Sequence, residues 1–402
     1  EGKKFSSKSY DLELKVRAIV DQQERNGFSF NLREAMSFLA TLEEEQHELE
    51  NQAQEMFKPR EVQLKTKVKY IPFNIASRKQ IAERLEELGW KPTKFTDKGN
   101  IIVSEEILDT INMKEAKMFS RYFLLQKRTG LIKAWIEACQ DDDKVRGRVM
   151  TLRTITGRMA HNSPNMAQVP AVYSPYGKEC RSLWTISNPD THVLIGTDAS
   201  GLELRCLAHY MNDPDFTNEV LNGDVHTANM KAAGLTDRDQ AKTFIYAFLY
   251  GAGPSKIGKV VGGSAKEGQQ LITQFLRNMP RLKELRENVV EASQTGTIKA
   301  LDGRLLHIRA DYASLNTLLQ GAGAIICKQW LVHITERIRK LGVDAKLVAS
   351  IHDEYQFEVA KKDATKFGQI TKDAMKETEK TLNIKCPLDC EFKIGTTWSE
   401  TH

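Results

Sequence analysis

No run of apolar residues in this 402-residue chain approaches the roughly 20 that a membrane-spanning helix needs. The start, Glu1-Gly2-Lys3-Lys4, lacks the apolar stretch of a signal peptide. A chain that opens on Glu rather than Met is expected to be cut from something longer. Cysteines are few and scattered, six in all, and only Cys386 and Cys390 lie close. Cys386-Pro387-Leu388-Asp389-Cys390 has no second Cys or His pair beside it, which argues against zinc and for reduced thiols in a cytosol-like compartment. There is no internal repeat and no low-complexity tract. Nor does either charge dominate: 58 Lys and Arg against 53 Asp and Glu leave +5, which permits a polyanionic partner without requiring one.

What is present is a globular composition, 41% hydrophobic, on a chain long enough for two or three subdomains. The first 140 or so residues read as mostly helical. Leu12, Leu14, Val16, Ile19 and Val20 mark a first helix, and Asn31 caps a second that runs to about Phe57. Lys58, Arg60, Lys65, Lys67 and Lys69 follow in a stretch with Pro59 and Pro72, so a loop or short strand is expected there. It is either solvated or a phosphate contact. Ser77-Arg78 stands at a further helix N-terminus, a place that can hold a phosphate.

From Val149 the character changes. Thr151 to Pro170 is polar and rich in amide and small side chains, and its Arg, Asn and Gln suit hydrogen bonding to a groove as well as an irregular loop. Val193-Leu194-Ile195-Gly196-Thr197-Asp198 then reads as an apolar strand ending in an acid. Asp198 is either the cap of the next helix or a rigidly held metal ligand. A second acid stands at the tip of a hairpin, where Leu347–Ile351 and an alternating strand from Glu354 flank His352-Asp353. Between the two acids Thr236 to Gly251 reads as a helix, with Thr236 as expected N-cap and Gly251 as the C′ residue. Arg238, Lys242, Tyr246 and Tyr250 recur at i+4 and so form one stripe. Two cations followed by two aromatics can hold a triphosphate at one end and stack on a base at the other. A long helix then opens with Asn316 and Gln320 on one face.

Two strand-held carboxylates with Arg and Lys on a helix match the needs of nucleotidyl transfer. Two divalent ions would activate the primer hydroxyl and neutralise the leaving pyrophosphate, while Arg and Lys hold phosphates. At this point the sequence resembles the family A (Pol I-like) DNA polymerases. Asp198-Ala199-Ser200-Gly201-Leu202-Glu203-Leu204-Arg205 resembles their motif A. Arg238, Lys242, Tyr246, Tyr250 and Gly251 resemble motif B, and His352-Asp353-Glu354 resembles motif C. The motif A wording is most similar to the T-odd podophage branch.

The resemblance implies an α+β right-hand fold: a helical thumb over residues 1–142, an antiparallel palm over 143–209 and 313–402, and helical fingers over 210–312. It implies a DNA-templated DNA polymerase that uses two Mg²⁺ per site, held by Asp198, Asp353 and the Ala199 carbonyl. It further implies Arg238, Lys242 and His226 on the triphosphate, Tyr246 on the incoming nucleotide, and Glu203 with Tyr250 against the ribose 2′ position. Arg158, Asn165, Gln168, Asn316, Gln320 and His352 are expected on the primer–template, with Ser77 and Arg78 also on DNA. The expected partners are primer–template DNA and dNTPs, with no membrane, in a host cytoplasm if the chain is phage-encoded. Two departures stand out. The chain has no room for a 3′→5′ exonuclease domain ahead of the thumb, so proofreading is expected to be absent or to come from another replisome protein. The stretch from Phe57 to Phe73 is too short for the insertion that recruits thioredoxin in some podophage relatives, so that partner is not expected. A single-subunit RNA polymerase, which shares the fold, or a non-catalytic primer–template-binding subunit are the alternatives. Glu203 argues against the first, and the joint presence of Asp198, Asp353, Arg238 and Lys242 against the second.

Overall fold

The computed structural model describes residues 5–402, which form two compact units. One comprises residues 5–29, 146–168 and 184–402, the other residues 30–145 and 169–183. The first helix, α1 (Ser7–Asn26), starts at a capping box on Ser6. Its stripe of Leu12, Val16, Ile19 and Val20 is buried, while Leu14 is exposed. That stripe joins the core of the larger unit. The helical unit expected over residues 1–142 therefore begins after α1. It also takes in residues 169–183.

The smaller unit is built on α2 (Leu32–Met56), which Asn31 caps through the Glu34 N–H. A hairpin of β1 (Arg60–Gln63) and β2 (Val68–Ile71) follows, then α3 (Arg78–Glu87) and α4 (Lys114–Ala138). Phe57, Phe73 and Phe119 pack with ring centroids 4.7–5.8 Å apart at its centre. The hairpin stands clear of that core, with every residue of β2 exposed. Arg60 pairs with Glu83 and Glu87. Lys65, Lys67 and Lys69 are exposed, with no ion pair among the described residues.

After α1 the larger unit resumes with a short hairpin, β3 (Arg148–Met150) on β4 (Ala160–Asn162). The chain then forms β5 (His192–Ala199), α5 (Leu202–Met211), α6 (Val225–Ala233), α7 (Arg238–Leu249), α8 (Ala265–Asn278) and α9 (Pro280–Ala292). The long α10 (Ser314–Leu341) leads into β6 (Ala345–Ile351), β7 (Glu354–Ala360), α11 (Ala364–Thr381) and β8 (Cys390–Gly395). Four strands pair antiparallel in the order β6-β7-β5-β8. A helix-rich chain around an antiparallel sheet is the expected α+β class.

Both faces of the sheet are covered, which is why all of β7 is buried. On one face Tyr355 packs on Trp330 of α10 with ring centroids 5.3 Å apart, and Phe357 on Phe367 of α11 at 4.8 Å. Burying each such aromatic contributes about 1.5–3 kcal/mol. On the other face lies the helical turn Trp398–Thr401. It needs Gly196 beneath it: a Cβ there would sit 2.2 Å from the Thr401 carbonyl oxygen.

Candidate active site

Asp198 is the next-to-last residue of β5, in the middle of the sheet. It does not cap the following helix. The residue at the α5 N-cap is Gly201, in the left-handed conformation and with no side-chain cap. In register with Asp198 stand Glu354 on one side and Glu391 on the other, so three carboxylates share one face. Asp353 lies in the two-residue turn between β6 and β7. His352 precedes it at φ 56°, a left-handed conformation uncommon for a residue other than glycine. The turn is latched to β5, because Ala199 N–H donates to the Asp353 carbonyl at 3.1 Å. The two acids thus end adjacent strands, held by backbone rather than by a mobile loop.

Their electrostatics follow from this crowding. Asp198 stays open to solvent, yet the surrounding protein together with the fields of Asp353, Glu354 and Glu391 pushes its carboxyl up to about 7. Asp353 is also pushed up, chiefly by burial, although a backbone hydrogen bond, His352 and Arg158 counter this. Glu354 behaves differently. It is buried, but the bonds it accepts from His402, Trp398 and Gln356 hold it below the usual carboxylate range. Trp398 Nε1–H donates to it at 2.6 Å, and His402 Nδ1 lies 2.6 Å from its other oxygen. The third acid is therefore committed to the fold.

Among the described residues no group of three His, Cys, Asp or Glu side chains is arranged to hold a metal. What remains is two carboxylates held by backbone, with the Ala199 carbonyl next to Asp198 in the chain. That all-oxygen set fits Mg²⁺, which takes one or two carboxylates and completes its shell with water and substrate phosphate.

The stripe on α7 is present. Its cap is Asp237, whose side chain accepts from Asp239 N–H, rather than the expected Thr236. Both are cap-type residues, and the helix starts one residue later than Thr236 allows. Arg238 donates through Nε and Nη2 to both oxygens of Asp224, at 2.7 and 3.0 Å. Lys242 is exposed and has no ion-pair partner among the described residues. Tyr246 stacks on Tyr250 with centroids 6.5 Å apart and planes at 26°, and His226 lies against its ring at 6.0 Å. The Tyr250 hydroxyl donates to Oε1 of Glu203 on α5, and Arg158 Nη2 reaches the same oxygen at 3.5 Å. Arg158, Glu203, His352 and Asp353 line one small cavity with Gly157 and Lys328. The cavity thus brings Asp353 to Arg158 and Glu203, and Glu203 is bonded to Tyr250 at the end of α7.

The remaining expected residues are placed as follows. Asn316 and Gln320 bond to each other at 2.9 Å on α10. Asn165 turns its amide oxygen to Ala167 N–H, and Gln168 is exposed at the end of the same turn. Ser77 caps α3. Arg78 donates to the Val103 carbonyl and lies over the Phe123 ring at 4.7 Å. These two residues belong to the smaller unit, whereas Asp198 and Asp353 belong to the larger. Sequence reasoning misses Asp224, which orients Arg238. Its only signal there is its place two residues ahead of His226.

The family model described as DNA polymerase family A matches residues 39–400. The chain belongs to that family. It is 40% identical over 378 residues to the DNA-directed DNA polymerase of Enterobacteria phage T3, covering 84% of this chain and 54% of that protein. The DNA-directed DNA polymerase of Escherichia phage T7 is 39% identical with the same coverage. This family A chain thus spans about half the length of the curated relatives it matches. Its structure is similar, with a TM-score of 0.85 and 18% identity, to the POL domain of Pol1 from M. smegmatis in complex with DNA primer-template and dNTP. That match covers 96% of this chain and 70% of the other. The likeness establishes the polymerase-domain fold that the motifs imply. No helix among the described residues is long and apolar enough to cross a membrane.

Proposed function

We propose that this chain is a DNA-templated DNA polymerase, adding nucleotides to a primer 3′-hydroxyl. The observation that carries the reading is the latched pair Asp198 and Asp353, joined through Arg158, Glu203 and Tyr250 to a cationic and aromatic stripe on α7. Asp198, Asp353 and the Ala199 carbonyl would hold two Mg²⁺. When bound, these supply charge to activate the primer hydroxyl and to neutralise the departing pyrophosphate. Arg238, Lys242 and His226 take the triphosphate. Arg238 exchanges Asp224 for phosphate at little cost, because the pair is exposed. Tyr246 stacks on the incoming nucleotide. Arg158, Asn165, Gln168, Asn316, Gln320 and His352 contact the primer–template, and Ser77 and Arg78 the DNA backbone. Divalent-cation removal tests the reading. EDTA is expected to stop templated extension while DNA binding persists, with Mg²⁺ restoring it. Extension that continues in EDTA would overturn it.

Glu203 sets the sugar choice in this reading. Its carboxylate, fixed by the Tyr250 hydroxyl and Arg158, occupies the space of a 2′-hydroxyl. Glu203→Ala is expected to raise the rNTP/dNTP ratio of kcat/KM roughly tenfold or more, equivalent to about 1.4 kcal/mol. An unchanged ratio would place the barrier elsewhere.

The exposed hairpin lysines contact duplex phosphates. Replacing Lys65, Lys67 and Lys69 with Gln is expected to lower the slope of log K against log salt by about 2–3, near 0.9 for each phosphate no longer neutralised. Arg60 is left out because Glu83 and Glu87 already hold it. A slope that does not move would return the hairpin to solvent.

A further inference from the structure

Behind Arg158 lies a buried ion cluster that the site does not account for. Glu13 on α1 is 6% exposed, Asp302 7%, and Arg304 and Lys328 2% each. One Glu13 oxygen accepts from Arg304 Nη1 at 2.6 Å and from Lys328 Nζ at 2.8 Å, and the other accepts from Nζ at 2.9 Å. Asp302 takes the other edge of the Arg304 guanidinium, from Nε at 3.0 Å and Nη2 at 2.6 Å. The third Lys328 bond goes to the Thr151 carbonyl at 2.8 Å. Two cations meet two carboxylates, and each lysine donor has an acceptor.

A buried cluster of this kind is weak evidence for stability, since apolar residues of the same volume often hold a fold as well. What it touches gives it a role. Thr151 begins the segment that ends at Arg158. The strand just before it is also fastened to α1: Val149 N–H donates to Glu24 at 2.8 Å, and its carbonyl accepts from Arg17 at 2.8 Å. At the other end, a Cβ on Gly157 would lie 3.4 Å from Arg304 Nη1, and Gly157 precedes Arg158. The Lys328 side chain lines the same cavity as Arg158, His352 and Asp353.

We propose that Glu13, Arg304 and Lys328 are positioning residues for the reaction. They hold the segment from Thr151 to Arg158 so that the Arg158 guanidinium stays beside Glu203, His352 and Asp353. Their action is through Arg158 rather than by binding the nucleotide. The proposal rests on the polymerase reading above.

The test is single-nucleotide extension by the full chain at saturating primer–template, with kcat normalised to the fraction of protein that binds DNA. Glu13→Gln keeps the shape and removes one carboxylate charge. It is expected to lower kcat roughly tenfold and to leave KM for the dNTP within about twofold. In an Arg158→Ala background it is expected to cost nothing further, as for residues acting through one another. A normalised kcat that does not change, or effects that multiply, would overturn the proposal. Glu13→Gln strands a buried cation and can unfold the chain, so a second variant is needed. Glu13→Leu with Lys328→Met strands neither partner of that pair, and is expected to melt cooperatively yet show the same reduction in kcat. Normal kcat in that double variant overturns the proposal too. Extension by the unmodified chain is the control. Without it, the polymerase reading falls first and this proposal with it.

Discussion

Asp353→Asn is expected to reduce primer extension roughly a thousandfold or more while DNA binding stays within a few-fold of the unmodified chain. Removing one well-placed electrostatic interaction from a catalytic site costs on the order of 10²–10³, and here the missing charge would also hold a cation. The fold has little reason to suffer. The latch to β5 uses the Asp353 backbone carbonyl, which Asn retains. Removing the Asp353 charge also relieves one of the fields that push the Asp198 carboxyl upward. The melting temperature is therefore expected to be unchanged or raised. Asp198→Asn is expected to reduce extension on the same scale, because it too removes a carboxylate that would hold a cation. Near-normal extension by either variant, measured by single-turnover quench, would remove the paired-carboxylate mechanism.

The second large effect turns on one hydroxyl. Tyr246 is half-buried, fixed between the Tyr250 and His226 rings, and its hydroxyl has no protein hydrogen bond among the described residues. It lies two helical turns beyond Arg238 on α7. With phosphates on Arg238 and Lys242, it would face the sugar of the incoming nucleotide. There it can offer the hydrogen bond that the nucleotide's own 3′-hydroxyl otherwise makes. A dideoxynucleotide then loses little. One such bond with a charged partner is worth about 1.5–3 kcal/mol, or roughly ten- to a hundredfold. The unmodified chain is expected to use ddNTPs nearly as well as dNTPs. Tyr246→Phe is expected to restore roughly ten- to hundredfold discrimination, on the same scale, with dNTP use little altered. The ratio of kcat/KM for ddNTP and dNTP in both proteins decides the matter. Strong discrimination by the unmodified chain would show that Tyr246 does not sit there.

The strands and helices that carry the site are legible because their signals are local. An apolar run ends at Asp198, alternation starts at Glu354, and the i+4 stripe of α7 needs no knowledge of the rest of the chain. What cannot be read depends on pairings between distant residues. Alternation alone puts Glu354 on the solvent side of its strand, but the turn Trp398–Thr401 crosses that face, and Trp398 and His402 take its two oxygens. Asp224 and Arg238 meet because α6 and α7 pack together, which neither helix declares by itself. Helix α1 has an apolar stripe that any partner could cover. The clue lies in Glu13, a carboxylate next to that stripe which needs buried cations, and those come from Arg304 and Lys328. The N-cap of α7 is displaced by one residue from its expected place because Thr236 and Asp237 are both good caps.

The central claim is that the latched carboxylates and the α7 stripe build DNA on a template. One experiment tests it most directly: extension of a primer by a single nucleotide in Mg²⁺, with each of the four dNTPs and four rNTPs offered separately. The predicted result is addition of the dNTP complementary to the template base, with the matching rNTP used far less. Addition without regard to the template, equal use of the rNTP, or no addition at all would contradict it.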